Sequence, residues 1–321
     1  MKRTLLVTGA NGFVGNALMR RLAEHPLFAS VGLVRNTPSD HVEGVVYEIT
    51  GGLLAGYPEG LLERTDTVIH LASRVHVMQE TAADPLAEFR RINVEGTLSL
   101  ARAAAQTGVR RFIFVSSVKV NGETTDGRQP FTADDAPAPS DPYGISKREA
   151  EDGLRLLAAQ TGLEVVIVRP VLVYGPGVKA NFRSMMNWLS KGVPLPFGAI
   201  HNKRSLVALD NLVDLLLTCI DHPAAANQTF MASDGYDLST TQLLHALGKA
   251  LGKPARLLPV PAAWLKGVAT LAGKGGLSQR LCGSLQVDIG KNRELLGWQP
   301  PLDVDQALRT TATHFLKEQD K

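Results

Sequence analysis

The feature that most restricts the fold of this chain is a glycine-rich stretch, T-G-A-N-G-F-V-G from Thr8 to Gly15, directly after the first apolar run. Glycines in this pattern permit a tight turn, close approach of the backbone to a pyrophosphate, and close packing of the next helix. That helix offers unbonded amide hydrogens and the positive end of its dipole to phosphates. Such a turn can lead into a helix of any function, but its position after the first strand favours dinucleotide binding. The residues predicted to contact the cofactor are Gly9, Asn11, Gly12, Phe13, Val14 and Gly15.

The order of apolar runs predicts an α/β fold. The short runs T-L-L-V, S-V-G-L-V, G-V-V-Y, D-T-V-I-H-L, R-F-I-F-V and E-V-V-I-V alternate with helical segments such as Pro85–Gln106. Strands that alternate with helices indicate a doubly wound parallel sheet of the Rossmann type. We expect a dinucleotide-binding domain over 1–169, to which 206–231 returns. The segments 170–205 and 232–321 are expected to form a smaller substrate-binding region.

The bulk composition excludes several classes of protein. Of the 321 residues, 44% are hydrophobic and 20% are charged, as in soluble globular proteins. The net charge of +3 predicts neither a nucleic-acid nor a membrane partner. Cys219 and Cys282 are too few and too far apart for a disulfide framework, and the eight histidines lack metal-site spacing. We therefore expect a cytoplasmic protein without a metal, and the sequence leaves a homodimer open.

The residue after the second predicted strand bears on the choice of cofactor. Folds that prefer NAD usually carry an Asp or Glu here, which accepts hydrogen bonds from the adenosine ribose. This chain carries Arg35, whose guanidinium would attract the additional phosphate of NADP. The alternative is a solvated surface arginine. The sequence thus favours NADP(H), with NAD(H) as the second choice.

A candidate acid/base pair opens a later helix. In S-D-P-Y-G-I-S-K, Asp141 can cap the helix, and Tyr143 and Lys147 lie one turn apart on one face. A nearby ammonium would lower the pKa of the tyrosine and so favour proton exchange. Ser117, which follows the strand R-F-I-F-V, could join the pair through the fold. Each motif alone also has an ordinary structural explanation. Tyr143 and Lys147 could be solvated surface residues, and Ser117 could belong to a turn.

Together these motifs make the chain resemble the extended short-chain dehydrogenase/reductases, in the branch of UDP-hexose 4-epimerases and 4-ketoreductases. The segments T-G-A-N-G-F-V-G, H-L-A-S, N-V-E-G-T, F-V-S-S-V-K-V-N-G, Y-G-I-S-K and R-P-V-L-V-Y-G-P-G occur in the family's order and spacing. The resemblance implies catalytic roles for Ser117, Tyr143 and Lys147, with Ser116 as the less favoured serine. It also implies contacts to the nicotinamide ribose and to adenine. These contacts would come from Leu71, Ala72 and Ser73, and from Glu48 and Ile49, respectively.

The resemblance also implies a site for a UDP-sugar. Residues expected to bind the substrate are Ser117, Lys119, Asn181, Phe182, Arg204 and Arg280. Asn121, Leu172 and Ser205 depart from the pattern common in epimerases. The sequence looks most like bacterial 4-ketoreductases of UDP-2-acetamido-2,6-dideoxy-4-keto hexoses, which make UDP-N-acetylquinovosamine or UDP-N-acetylfucosamine for surface polysaccharides. The alternatives are a UDP-glucose or UDP-N-acetylglucosamine 4-epimerase with tightly bound NAD, and a non-catalytic dinucleotide-binding scaffold.

Overall fold

The computed structural model describes residues 2–38, 40–75, 84–271 and 275–319, with the backbone alone for 275–277. Its strands are β1 (Arg3–Thr8), β2 (Phe28–Val34), β3 (Val46–Ile49), β4 (Thr67–His70), β5 (Arg111–Val115), β6 (Glu164–Pro170), β7 (Leu172–Tyr174), β8 (Arg204–Ala208), β9 (Thr229–Ala232) and β10 (Asp237–Leu238). Its α-helices are α1 (Phe13–Ala23), α2 (Pro85–Phe89), α3 (Thr97–Gln106), α4 (Pro142–Gln160), α5 (Ala180–Ser190), α6 (Leu209–Asp221), α7 (Thr240–Ala250), α8 (Ala262–Leu271), α9 (Gly275–Cys282), α10 (Gly290–Leu296) and α11 (Val304–Gln319). A π-helical segment, Arg90–Gly96, joins α2 to α3, and 3-10 turns lie at Val118–Val120 and Pro223–Ala225.

Within the described residues, seven strands form a parallel sheet in the order β3-β2-β1-β4-β5-β6-β9. The chain first builds outward from β1 to β3 and then starts again on the other side of β1 with β4. This reversal brings the carboxyl ends of β1 and β4 together, and open parallel sheets bind ligands at such a point. The predicted doubly wound α/β fold is confirmed.

Both faces of this sheet are buried, which explains why its strands are apolar at successive positions. On one face, Leu6 and Phe112 pack with apolar residues of α3 and α4. On the other face, Leu5 and Ile113 pack with α1 and α6. The helices therefore fix the sheet from both sides and leave the strand ends to form the site.

A second, smaller region follows the large sheet. Strands β10, β8 and β7 form a sheet in that order, and a separate core joins β7 and β8 to α5, α7 and α11. The residues 206–231, which were expected to return to the first domain, are divided between the two sheets. Strand β8 lies in the small sheet, whereas β9 is the seventh strand of the large one. The division near residue 169 stays a prediction, because the chain passes between the two sheets more than once.

A half-buried carboxylate holds the two regions together. Asp234 accepts hydrogen bonds from the Ala208 amide at 2.8 Å, the Asn211 side chain at 2.7 Å and the Tyr174 hydroxyl at 2.9 Å. Asn211 also bonds both backbone groups of Leu302, each at 2.9 Å. These bonds tie β7, α6 and the segment before α11 into one junction.

Candidate active site

The glycine-rich turn after β1 is packed so closely that side chains cannot replace its glycines. Gly9 has a φ of +67°, in the left-handed region that favours glycine. A Cβ on Gly15 would lie 2.1 Å from the Gly9 carbonyl oxygen, and one on Gly9 would lie 2.9 Å from the Ala72 amide nitrogen. The turn therefore rests against α1 on one side and the chain after β4 on the other.

The amino end of α1 is suited to hold a phosphate. No described side chain caps this helix, whose N-cap is Gly12. Asn11 and Gly12 are exposed, while Phe13 and Val14 turn into the core. Open amides, a positive helix dipole and a glycine-rich turn fit a dinucleotide pyrophosphate. The structure thus supplies the cradle that the sequence pattern predicts, and contact with a cofactor stays a prediction.

The ends of β2 and β3 lie side by side at the edge of this cradle. Arg35 is the first residue after β2, is exposed, and forms no salt bridge with the described carboxylates. On β3, Glu48 accepts a hydrogen bond from Arg64 at 3.1 Å, and Ile49 is 57% exposed. Arg35 can therefore meet an anion, whereas the Glu48 carboxylate already has a cationic partner.

A buried histidine locks the end of β4 to the end of β1. His70 contacts the Thr8 hydroxyl at 2.7 Å through Nδ1 and the Thr97 hydroxyl at 3.0 Å through Nε2. The Thr8 hydroxyl also accepts the Ala72 amide hydrogen at 3.1 Å. Burial, with a smaller effect of the Lys147 charge, lowers the pKa of His70 to about 3. His70 is thus a neutral packing residue, and it holds Leu71 and Ala72 against the turn.

An asparagine in the π-helical segment positions the next residues. Buried Asn93 accepts hydrogen bonds from the Ser73 hydroxyl at 3.1 Å and the Arg74 amide at 2.8 Å, and it donates to the Ser146 hydroxyl at 3.0 Å. Ser146 in turn donates to the Tyr143 carbonyl at 2.8 Å. Asn93 belongs to the N-V-E-G-T motif, but the sequence predicted no functional role for it. The signal that identifies Asn93 is structural. It is a buried asparagine in a π-helical segment, and such segments are frequent at functional sites.

Tyr143 lies at the start of α4, where Asp141 accepts the Gly144 amide hydrogen at 2.6 Å. The tyrosine is half-buried, and desolvation, followed by the charge of Asp141, raises the pKa of its hydroxyl to about 12. Hydrogen bonds with Ser73 and Ser117 oppose that rise. The direction is opposite to the expected lowering, because burial outweighs any effect of the neighbouring lysine. The phenol is therefore protonated at neutral pH.

Lys147 lies one turn further along α4 and is buried. Its ammonium donates to the Val115 carbonyl at 2.9 Å and lies 4.5 Å from the centre of the Phe114 ring and 5.9 Å from that of Tyr143. Desolvation lowers the pKa of Lys147 to about 7, and the charge of Glu151 opposes this. The shared face of Tyr143 and Lys147 is confirmed, whereas the lysine carries only part of its charge near neutrality.

The structure separates the two candidate serines. Ser117 hydrogen-bonds to Tyr143, whereas Ser116 is buried and donates to Glu151 at 2.6 Å. Glu151 also accepts two hydrogen bonds from buried Arg169, at 2.9 and 2.5 Å. Arg169 also donates a hydrogen bond to the Asn121 side-chain oxygen at 3.0 Å. Asn121, which departs from the pattern common in epimerases, therefore has a structural partner. Ser117 is the serine that faces the acid/base pair.

Lys119 lies beside this group but is already paired. Its ammonium forms ion pairs with Asp141 and, at 2.9 Å, with Glu123. Asp141 therefore caps α4 and binds Lys119 at the same time. The predicted contact of Lys119 with a substrate stays a prediction, and it would compete with these two carboxylates.

Two arginines lie further from Tyr143, in the second region. Arg204 opens β8, is half-buried, and donates to the Gly283 carbonyl at 3.2 Å. Burial and then the charge of Arg280 lower the pKa of Arg204, while Asp126 and Glu123 oppose this. Two guanidiniums close enough to repel each other suit a ligand with two negative groups.

The other two predicted substrate residues lie at the start of α5. Asn181 is exposed in the first turn of this helix, which no described side chain caps. Phe182 is only 2% exposed and stacks on Tyr174, with ring centres 5.4 Å apart. The structure therefore places Asn181 at the surface and Phe182 in the core of the second region.

Comparison with known proteins agrees with this arrangement. Residues 5–232 match the family described as "NAD dependent epimerase/dehydratase family". The chain is 47% identical to a UDP-glucose 4-epimerase of Vibrio cholerae, over 100% of this chain and 98% of that protein. It is 26% identical to a GDP-6-deoxy-D-mannose reductase of Pseudomonas aeruginosa, over 96% of each. The solved UDP-glucuronic acid 4-epimerase from Bacillus cereus, in complex with NAD, shares the fold, with a TM-score of 0.80, 20% identity, and coverage of 99% of this chain and 100% of that one. This chain belongs to the NAD dependent epimerase/dehydratase family.

Proposed function

We propose that this protein is an NAD(P)H-dependent reductase of the C4 keto group of a UDP-2-acetamido-2,6-dideoxy-4-keto-hexose. Its product would be UDP-N-acetylquinovosamine or UDP-N-acetylfucosamine, used for bacterial surface polysaccharides. The observation that carries the proposal is geometric: the Tyr143 hydroxyl is hydrogen-bonded with Ser117, and the Lys147 ammonium lies 5.9 Å from the centre of the Tyr143 ring. A reduction needs a proton donor for the developing alkoxide, and a phenol with a pKa of about 12 is in the donor state at neutral pH.

The residues of the site would divide the work. When bound, the dinucleotide supplies the hydride. Tyr143 protonates the C4 oxygen, and the Ser117 hydroxyl donates a hydrogen bond to the same oxygen. Lys147, held by the Val115 carbonyl, would hold the nicotinamide ribose. Asn93 fixes Ser73 relative to α4, so that the Tyr143 hydroxyl keeps its two serine partners.

The second region would bind the nucleotide diphosphate. Arg204 and Arg280 offer two guanidiniums, which suit adjacent phosphates better than a single anion. Glu123 forms an ion pair with Lys119 and also acts on Arg204, so charged side chains link the surroundings of Asp141 and Tyr143 to these arginines. Exposed Asn181 would complete the nucleotide contacts, whereas the buried Phe182 ring would support the start of α5 from the core rather than contact the nucleotide.

The cofactor preference follows from Arg35. An exposed arginine without a described carboxylate partner, at the end of β2, supports NADP(H). NAD(H) is the alternative, because the Bacillus cereus protein was solved with NAD.

A second candidate function is a UDP-hexose 4-epimerase with tightly bound NAD. The Vibrio cholerae relative, 47% identical over the whole chain, supports it. An epimerase would use the same three residues but must first remove a proton from the sugar hydroxyl. In that step the tyrosine acts as a base, and in the return step it acts as an acid, so an epimerase would use both protonation states of Tyr143.

One experiment separates the two functions. The protein is supplied with the UDP-linked 4-keto-6-deoxy sugar and either NADPH or NADH, and the product is identified by NMR. The reductase should oxidise one equivalent of cofactor for each sugar reduced. Interconversion of UDP-N-acetylglucosamine and UDP-N-acetylgalactosamine with no net cofactor oxidation would instead assign the epimerase.

A further inference from the structure

Helix α8 turns its apolar face away from the protein. Trp264, Val268 and Leu271 are 72%, 67% and 91% exposed. They occupy positions i, i+4 and i+7 and so form one stripe along the helix. Ala262 and Leu265, on the side that meets the protein, are half-buried. A surface helix of a soluble protein normally shows the reverse arrangement, with its polar face toward water.

The exposed apolar surface also includes the chain that leads into α8. Leu258 is 52% exposed and pairs through its backbone with Leu195 at 2.8 Å and Gly198 at 2.9 Å. Val193, two residues before Leu195, is 40% exposed. Large exposed apolar patches mark sites that contact another molecule or a membrane.

The stretch of sequence that contains α8 carries charge of one sign. From 238 to 287 the sequence contains no Asp or Glu, while it contains Lys249, Lys253, Arg256, Lys266, Lys274 and Arg280. The summed charge of these six residues, +6, exceeds the net charge of the whole chain, which is +3. The prediction of no membrane partner used that net charge, which averages over this segment.

We propose that α8 and its basic surroundings dock on the surface of an anionic lipid bilayer. Tryptophan prefers the boundary between headgroups and acyl chains, and a short apolar face can lie in that plane without crossing the membrane. Lys and Arg side chains near an anionic surface are attracted to it, and the attraction adds up over a basic segment. The apolar stripe and the basic segment are two independent signals, as stable peripheral binding requires. No described helix is long and apolar enough to cross a bilayer.

Charge complementarity favours the bilayer over a second copy of this chain. A twofold contact through α8 would bring identical surfaces together. The acid-free segment of each copy would then face that of the other, and like charges would repel. An anionic lipid surface matches the same segment in sign.

The docked face would lie next to the proposed diphosphate site. Helix α9, which carries Arg280, packs against α8. Lys266 of α8 is close enough to Cys282, at the end of α9, to act on its thiol. A bilayer under α8 would therefore lie beside the second region rather than beside β1 and the cofactor turn.

The test is flotation of the full-length protein with vesicles. Vesicles that contain phosphatidylglycerol should carry at least about tenfold more protein than vesicles of phosphatidylcholine alone, and high salt should reduce this difference. The double variant Trp264→Glu, Leu271→Glu should fall to the phosphatidylcholine level. Leu27→Glu, at a residue 59% exposed on another part of the surface, is the matched control and should float like the wild type.

Two further measurements make the result decisive. Thermal unfolding followed by circular dichroism shows whether each variant is folded, and Trp264→Phe should remove the blue shift of tryptophan emission on vesicle binding. Absence of flotation, or flotation that the α8 changes do not reduce, overturns the proposal. Dimers in sedimentation that the double variant dissociates, without vesicle binding, would assign the face to a second copy. Turnover of soluble UDP-sugar without vesicles is a separate readout, so failure of the proposed function leaves this test intact.

Discussion

Tyr143 combines two environments that have opposite effects on its proton. Burial and the charge of Asp141 hold the proton on the phenol, while Ser73 and Ser117 stabilise the form without it. The first pair of effects dominates, so the site rests with the proton in place. Delivery of that proton to an alkoxide is then downhill, because an alkoxide is a stronger base than a phenolate.

Replacement of Tyr143 by Phe tests this role. The ring can keep its packing near Phe89, so we expect cofactor affinity to stay unchanged in a fluorescence titration. Turnover of the 4-keto sugar should fall by roughly 10²–10⁴-fold, the usual contribution of a positioned acid. Unchanged turnover would remove Tyr143 from the proton-donor role.

Replacement of Arg35 by Asp tests the cofactor preference. The carboxylate would repel the additional phosphate of NADP and accept ribose hydroxyls, so the ratio of kcat/KM for NADPH to that for NADH should fall about tenfold or more. Arg21→Asp, at another exposed arginine, is the control and should leave the ratio unchanged. A ratio that Arg35→Asp does not move would return Arg35 to an ordinary surface role.

His70 should make the fold sensitive to acid. Its pKa is about 3 in the folded protein and about 6.5 when unfolded, so below pH 6.5 the unfolded state takes up a proton that the folded state does not. The contribution of His70 to the free energy of unfolding is present above pH 6.5. It is lost as pH falls toward 3, at roughly 1.4 kcal/mol per pH unit. Urea unfolding at pH 7.5 and pH 5 measures the loss.

The matched variant for that measurement is His70→Gln, whose amide can still bond Thr8 or Thr97 but does not titrate. The wild type should lose about 2 kcal/mol more than the variant between these two pH values. Equal losses in both proteins would mean that other groups set the acid sensitivity.

At the scale of elements, α4 sets the geometry of the site. Its cap, Asp141, fixes where the helix begins, and Tyr143, Lys147 and Glu151 follow at spacings of four residues on one face. The first two approach the substrate side, and Glu151 anchors the helix through Ser116 and Arg169. A single helix would thus carry both the proposed catalytic pair and the contacts that hold it in place.

The cap can be tested without substituting Tyr143 or Lys147. Asp141→Ala should lower the free energy of unfolding by about 1 kcal/mol, because the Gly144 amide loses its acceptor. Asp141→Asn keeps that acceptor and removes only the charge that pairs with Lys119, so its loss should be smaller. Equal losses would show that the ion pair, rather than the cap, stabilises this end of α4.

The elements that sequence predicted are those with local causes. The turn at Gly9, the strand runs and the Asp141–Pro142 helix start depend on neighbours in the chain, so pattern and propensity suffice. The pairing of Glu151 with Arg169 and the position of Asn93 depend on contacts across the fold. The pKa of Tyr143 differed from expectation for the same reason, since burial is a tertiary property that a Tyr-x-x-x-Lys spacing does not contain.

At the scale of the whole molecule, the two regions are not separable at one bond. Strand β9 completes the large sheet beside β6, although β7 and β8, which precede it, lie in the small sheet. Helix α6, whose Leu212 and Leu216 cover one face of the large sheet, also belongs to this later part of the chain.

A fragment that ends at residue 169 should therefore fail to fold as the full chain does. It would leave β6 without its outer partner and the α6 face of the sheet open to water. We expect non-cooperative thermal unfolding and rapid proteolysis, whereas a fragment through Ala232 should be more resistant. A cooperative transition in the shorter fragment would show that 1–169 is an independent domain.

Because β9 lies late in the sequence, it also affects the order in which the sheet can form during synthesis. A ribosome must make 232 of the 321 residues before the seventh strand of the large sheet exists. Until then the nascent chain presents an open sheet edge along β6, the kind of edge that pairs with other chains. The amino-terminal half, which is made first, is therefore not finished first, and chaperones would be needed most during the interval between the exit of β6 and the exit of β9 from the ribosomal tunnel.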